Sequence, residues 1–271
     1  MLPRATSRCE RFLASARAGD AAVNSNKTIF RFTATLNLRN LTRTMEGTLV
    51  RAEREALTLK VNEIFHSIQG EGAYALHPCI FIRLSGCNLR CVWCDTTYSF
   101  HEGNPQSLAE ILAHIAPWQS QLVEITGGEP LLQRNVYSLM ELLHESGRKV
   151  LLETSGSILI DKVPEFVHII LDMKAPASGE SEANKYDNLA LLKPSDDLKI
   201  VVANHADFSF AVDLVSANAL TGRLMRPVIV QPVFGELAPA ELGEWIKGSK
   251  IPFRLGLQLH KYIYDPSLRA V

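Results

Sequence analysis

Cys87, Cys91 and Cys94 form a C-x3-C-x2-C run within Cys87-Asn88-Leu89-Arg90-Cys91-Val92-Trp93-Cys94, directly after Gly86. Three thiolates this close along the chain can each take one iron of a [4Fe–4S] cube, leaving the fourth iron without a protein ligand. A ferredoxin-type carrier needs a fourth cysteine and a C-x2-C-x2-C-x3-C-P run, which is absent here. The competing chemistry is a Cys3His zinc site drawing on His66, His77 or His101. Zinc modules usually pair two C-x2-C or C-x2-H halves, and only one half has that form. The remaining cysteines read differently. Cys79 sits in an apolar run as a small core residue, and Cys9 lies in a basic stretch. An odd, clustered count without a signal-peptide pattern argues against a disulfide scaffold and for a reducing, cytoplasmic setting.

Other chemistry-bearing residues must be positioned by regular elements. Strands are expected at 61–65, 79–84, 122–126, 149–153, 168–172, 198–202, 227–231 and 255–259, from short apolar, β-branched runs. Helices are expected at 107–116, 135–146, 185–192, 206–217 and 239–247. Ser107 with Glu110 has capping-box spacing, and Gly147 is a natural helix stop. Strands alternating with helices imply βαβ units and an α/β fold with a mostly parallel sheet. In such sheets functional residues gather at the C-terminal strand ends. There the sequence places the cysteine loop, Thr126-Gly127-Gly128-Glu129-Pro130, Thr154-Ser155-Gly156 and Asp172-Met173-Lys174.

Composition narrows the classes. The 271 residues are 46% hydrophobic and 21% charged, which excludes a disordered or fibrous chain. No apolar run reaches bilayer-spanning length, so no membrane partner is expected. The net charge of −1 gives no reason to expect direct nucleic-acid binding. Charge is uneven, however: residues 1–45 carry eight basic side chains against Glu10 and Asp20. They lack hydrophobic periodicity, and a basic, disordered extension is expected over 1–58, with Met45 a candidate start, followed by one catalytic domain over 59–271. An organelle transit segment is the alternative.

The C-x3-C-x2-C run, with an aromatic residue before its last cysteine, resembles the radical S-adenosylmethionine (SAM) superfamily. Gly127-Gly128-Glu129-Pro130 is a second match in order. A narrower resemblance rests on Glu63-Ile64-Phe65-His66-Ser67-Ile68-Gln69-Gly70-Glu71-Gly72, on Phe81-Ile82-Arg83-Leu84-Ser85-Gly86-Cys87 and on Cys94-Asp95-Thr96. Leu257-Gln258-Leu259-His260-Lys261-Tyr262 completes it, with Leu259 where the family has Thr. These stretches are similar to 7-carboxy-7-deazaguanine synthases, over about residues 59–266. The glycyl-radical activating enzymes share the cysteines but lack the Gln-Gly-Glu-Gly entry; they and a non-catalytic Fe–S or zinc module are the rival readings.

The resemblance implies a partial (β/α) barrel of radical SAM type. It implies a lyase that turns 6-carboxy-5,6,7,8-tetrahydropterin into 7-carboxy-7-deazaguanine with loss of ammonia, on the route to queuosine, a tRNA modification. Its implied cofactors are a [4Fe–4S] cluster, SAM and Mg2+; its partners are a reductase or flavodoxin-type electron donor and a second copy in a homodimer. Cys87, Cys91 and Cys94 would hold the cluster and Thr96 the Mg2+, unless Thr96 caps the next segment. Trp93, Cys94, Asp95, Gly128, Ser155, Asp172, Met173 and Lys174 would form the SAM site. Trp93 could instead be a core aromatic, and Asp172 and Lys174 a plain strand-end ion pair. Ile68, Gln69, Gly70, Glu71, Arg83, Thr126, His260 and Pro266 would receive the pterin. Arg83 suits a bidentate carboxylate contact if strand alternation turns it inward, and His260 would be a late-strand contact. Relatives end soon after the His-Lys-Tyr stretch. Pro266 is therefore expected to close the site, with residues 267–271 turning away to solvent.

Overall fold

The apolar runs form nine strands: β1 Thr58–Ile68, β2 Pro78–Leu84, β3 Asn104–Ser107, β4 Leu122–Gly127, β5 Lys149–Thr154, β6 His168–Lys174, β7 Asp197–Val202, β8 Val228–Pro232 and β9 Phe253–Leu255. This computed structural model describes residues 50–271; Cys9, Met45 and the basic stretch lie outside the described residues. Residues 50–55 are helical (α1). The other helices are α2 Leu108–Ile115, α3 Val136–Glu145, α4 Asn188–Leu191, α5 His205–Ala217, α6 Pro239–Gly248 and α7 His260–Ile263.

One sheet contains all nine strands in the order β3-β1-β2-β4-β5-β6-β7-β8-β9. From β2 to β9 every pairing is parallel, while β1 pairs antiparallel with both β2 and β3. The curved sheet does not close, so the fold is the expected partial barrel. Side chains alternate across it. Ile80, Ile82, Val123, Ile125, Leu152 and Leu171 pack on one face against Ile111, Leu139, Leu143, Ala211 and Leu214 of the helices. Phe65, Phe81, Leu151 and Ile170 form a smaller cluster on the other face. Two residues further along, that same face carries Arg83, Glu153 and Asp172. The inner face is thus apolar low down and charged at the C-terminal strand ends.

Three expectations need correcting. Residues 50–58, assigned to the extension, are ordered: β1 begins at Thr58, and Arg54 of α1 pairs with Glu141 and Glu145 of α3. A short arginine-rich segment can dock by such pairs without a long apolar stripe. The strand expected at 255–259 ends at Leu255, and His260 opens α7 instead. Leu255, Leu257 and Leu259 mimic strand alternation, but the neighbouring β8 ends at Pro232, which has no N–H to offer. Strand β3 was not expected, because Pro105 and polar neighbours hide it; an edge strand tolerates both. The capping box of α2 is present, with Ser107 Oγ accepting from Glu110 N at 3.2 Å and Ser107 N donating to Glu110 Oε2 at 2.7 Å.

Candidate active site

The charged rim of the inner face opens into a cavity of about 460 Å3. Its wall includes sixteen of the residues expected at the site: Cys87, Cys91, Cys94, Trp93, Asp95, Thr96, Gly128, Ser155, Asp172, Lys174, Ile68, Gln69, Glu71, Arg83, Thr126 and His260. Gly70, Met173 and Pro266 are absent from it. Met173 points to the helical core because it alternates with Asp172 and Lys174. Gly70 lies behind the wall, where a Cβ would sit 2.2 Å from His260 Nδ1; its missing side chain makes room for the imidazole.

The cysteine loop forms one side. All three thiols are free and half-buried. Among the described residues no three His, Cys, Asp or Glu side chains converge on a single ion-sized point. All three line the cavity, and three thiolates on one loop suit a cube that gives each a different iron. Burial pushes the Cys91 thiol up to about 11, against the pull of the nearby Lys174 ammonium, so a metal held there would have to displace its proton. Gly128 lets this loop approach β4: a Cβ there would lie 2.3 Å from Gly86 O and 2.7 Å from Cys87 Cβ. A Cβ at Gly127 would likewise lie 2.2 Å from Leu84 O, so the paired glycines serve loop packing. Glu129, fully buried, accepts from Thr154 Oγ1 (2.9 Å), Ser155 N (2.8 Å), Ser155 Oγ (2.6 Å) and Leu131 N (3.0 Å), tying the β4 and β5 loops together.

Asp172 Oδ2 pairs with Lys174 Nζ at 3.1 Å, while Asp172 Oδ1 is buried without a hydrogen-bond partner. Such an orphaned acceptor in a cavity wall fits the hydroxyl or amino donors of SAM. Trp93 lines the cavity rather than the core. Thr96 precedes a short 3-10 turn, yet its hydroxyl makes no cap hydrogen bond and lies 3.8 Å from Cys94 Sγ. That weak contact to sulfur is the hydroxyl's one side-chain partner among the described residues. Asp95 is instead held by Lys261 Nζ at 2.8 Å and Gln258 Nε2 at 3.3 Å.

At the end of β2, Arg83 Nε donates to Glu63 Oε1 at 2.7 Å, and Tyr98 Oη donates to the same oxygen at 3.0 Å. Only Nε is used, so the terminal nitrogens remain to grip a carboxylate. Gln69 is committed within the protein: Oε1 accepts from Glu71 N at 2.9 Å, and Nε2 donates to Glu124. It orders the loop that presents Glu71. Burial lowers the His260 pKa, favouring the neutral imidazole.

The tail departs from expectation. Asp265 Oδ1 accepts from Ser267 N at 2.9 Å and Oγ at 2.7 Å, turning the chain back. Arg269 then pairs with Glu102 at 3.1 Å and lies 3.7 Å over the Tyr98 ring, and Val271 lines the cavity. Pro266 is exposed. Residues 265–270 are exposed, yet the tail folds back beside the mouth and does not extend away from it, because Arg269 finds an aromatic face and a carboxylate there.

Sequence reasoning missed Glu124, Glu153, Lys199, Val201, Gln231 and Phe234 in the wall. No local motif marks them; strand alternation past 124, 153 and 199 was the available signal. Gln231 Oε1 is a second buried acceptor without a partner.

The fold and the three-thiol cavity define a radical SAM enzyme, and residues 81–175 match the model of the Radical SAM superfamily. The chain is 43% identical to the 7-carboxy-7-deazaguanine synthase of Chlorobaculum tepidum, across 79% of this chain and 97% of that protein. Against the synthase of Koribacter versatilis the identity is 42%, across 79% and 100%. The chain belongs to the 7-carboxy-7-deazaguanine synthase family. Its fold is also that of the crystal structure of QueE from Escherichia coli, with a TM-score of 0.64 and 24% identity over 76% of this chain and 97% of that one.

Proposed function

We propose that this chain converts 6-carboxy-5,6,7,8-tetrahydropterin into 7-carboxy-7-deazaguanine with loss of ammonia, a step towards queuosine. The observation that carries the reading is one cavity with three free thiols on one side and Arg83 and Glu71 on another. Bound together, a [4Fe–4S] cluster and SAM supply radical hydrogen abstraction. The protein's part is to place the pterin and keep water away. Cys87, Cys91 and Cys94 would hold the cluster. Asp172 Oδ1, Trp93, Ser155 and Gly128 would receive SAM. Arg83, fixed by Glu63, would grip the pterin carboxylate, and Thr96 would offer its hydroxyl to a Mg2+ shared with that carboxylate and waters. Glu71 would accept from the amino and ring N–H groups of the pyrimidine edge. Phe65 and Phe81, stacked at 4.9 Å below these groups, give the ring an apolar bed.

The same reading carries a reductase or flavodoxin-type electron donor, a homodimer and a cytoplasmic setting. Among the described residues no helix is long and apolar enough to cross a membrane. The deciding experiment is anaerobic turnover of the pterin with SAM, Mg2+ and dithionite, read by mass spectrometry. Formation of 7-carboxy-7-deazaguanine is expected; an unchanged pterin with a fully loaded cluster would refute the assignment.

A further inference from the structure

Beneath the two halves of the cavity lies a cation that neither half explains. Lys199, on β7, lines the cavity wall yet is only 4% exposed at its side chain, so its charge is carried by protein partners. Its Nζ donates to Glu71 Oε2 at 2.7 Å and to Glu153 Oε1, and lies 3.4 Å from Asp172 Oδ2. Those three carboxylates come from the loop after β1, from β5 and from β6. In the sheet register Asp172 stands directly opposite Lys199. Glu153 Oε2 in turn accepts from Thr126 Oγ1 at 3.3 Å. One ammonium therefore touches, directly or through one residue, the wall proposed for the pterin (Glu71, Thr126) and the wall proposed for SAM (Asp172).

The geometry points to Lys199 as a positioning residue that sets Glu71, Glu153 and Asp172 in register, so that the pterin and SAM halves of the site are held by one buried cation. A purely structural ion pair would not require three carboxylates from three elements to converge at a cavity wall. Burying this ammonium would be costly alone; the three carboxylates reverse that and hold it protonated. Burial likewise pushes Glu153 upward, but Lys199 outweighs it and keeps Glu153 below the usual carboxylate range. Glu124 has no such partner: burial, then Glu153 and Glu71, raise it well above that range, and it accepts from Gln69 beside the cluster of charges. The neighbours are not equivalent, which makes the role testable. Asp172 keeps Lys174 if Lys199 is lost, whereas among the described residues Glu71 pairs with Lys199 alone.

The inference rests on the proposed reaction, and the test separates the two. Full-length Lys199→Met, reconstituted with iron and sulfide, is compared with wild type for KM of the pterin, KM of SAM and the pH profile of kcat/KM. Removing one partner of a buried pair predicts a rise of about tenfold or more in pterin KM, with SAM KM changed much less. The acid limb should also move to higher pH. The groups facing Glu153 are Lys199, Lys174, Arg83, Glu71, Asp172, Glu124 and His260, and loss of Lys199 removes its nearest cation, so Glu153 protonates sooner as pH falls. Lys199→Arg should recover part of kcat/KM. If Lys199→Met does not fold, Lys199→Met with Glu153→Gln removes one charge of each sign and should still show the raised pterin KM. A folded, iron-loaded variant of either kind with wild-type pterin KM would overturn the positioning role while leaving the reaction intact. A wild type inert towards the pterin would overturn both.

Discussion

The two sides of the cavity are built on opposite plans. The cysteine loop, residues 86–96, is contiguous in sequence, and its functional atoms have few partners: three free thiols and the Thr96 hydroxyl. The strand side is assembled from residues as far apart as Glu71 and Lys199, and nearly every charge there is already paired. The first side is complete only with a ligand; the second is organised before one arrives. Preorganised polar groups cost little rearrangement at the moment of reaction. On the proposed reading, the protein would keep its own order where substrate is read and leave donors open where a cofactor is held.

Replacing any one of Cys87, Cys91 or Cys94 by Ala should break the first side completely. On the proposed reading each thiolate would carry one iron, and Cys79, the other free cysteine among the described residues, lies in the apolar cluster below the cavity. Iron content, the brown colour and turnover should all collapse. Cys79→Ala should keep all three, since that thiol is buried in the apolar cluster below the cavity. Activity surviving in a loop variant would remove the contrast between the two sides.

Glu71→Ala and Arg83→Ala should damage the second side while sparing the first. Iron content should stay at the wild-type level, and pterin KM should rise about tenfold or more, since a buried charged partner is worth about 1.5–3 kcal/mol. The two need not be equal. Loss of Glu71 frees Lys199 to its other carboxylates, whereas loss of Arg83 leaves Glu63 with Tyr98 alone. Steady-state kinetics beside iron assays will read this, and wild-type kinetics in both variants would contradict the assignment of that wall.

The same contrast governs what could be read from sequence. The cysteine loop, Gly128 and the strand-end clusters were legible because spacing along the chain equals proximity in space. Arg83 was legible only conditionally, since its direction depends on the phase of β2. Lys199, Glu153 and Glu124 were legible only as a strand face: alternation gives their direction, but only the register of β4 to β7 brings them together. Strand β3 and helix α7 were missed for a related reason. One is specified by an antiparallel neighbour, the other by the lack of a partner beyond Pro232, and neither fact is local.

A smaller effect tests how the loop after β1 is joined to the chain's end. Gly70→Ala would put a methyl 2.2 Å from His260 Nδ1, while Leu259 N still donates to Gly70 O at 3.1 Å. The imidazole must swing away, and a several-fold fall in kcat/KM is expected. In a His260→Ala background the ring clash is removed but the contact of the added Cβ with the backbone nitrogen of residue 260, at 2.8 Å, stays, so the same substitution should cost less without becoming silent. Equal losses in both backgrounds would place the strain at that backbone contact and not at the ring.

The smallest expected effect concerns residues 267–271. Arg269 lies over Tyr98, and Tyr98 donates to the Glu63 oxygen that also holds Arg83. The tail thus touches the strand side through two intermediates and the cavity directly through Val271. Both Arg269 and Glu102 are more than half exposed, so their ion pair is worth little in water. A cation–π contact at an exposed site adds about 0.5–1 kcal/mol. A stop codon after Pro266 should therefore lower kcat/KM by about fivefold, not abolish it. Arg269→Ala should reproduce part of that loss if the relay through Tyr98 carries it. If Arg269→Ala is silent while the truncation is not, the effect belongs to Val271 and the shape of the mouth. Wild-type kinetics in the truncated chain would mean that Arg269 rests on Tyr98 without steadying Glu63, and that the strand side needs no support from the tail.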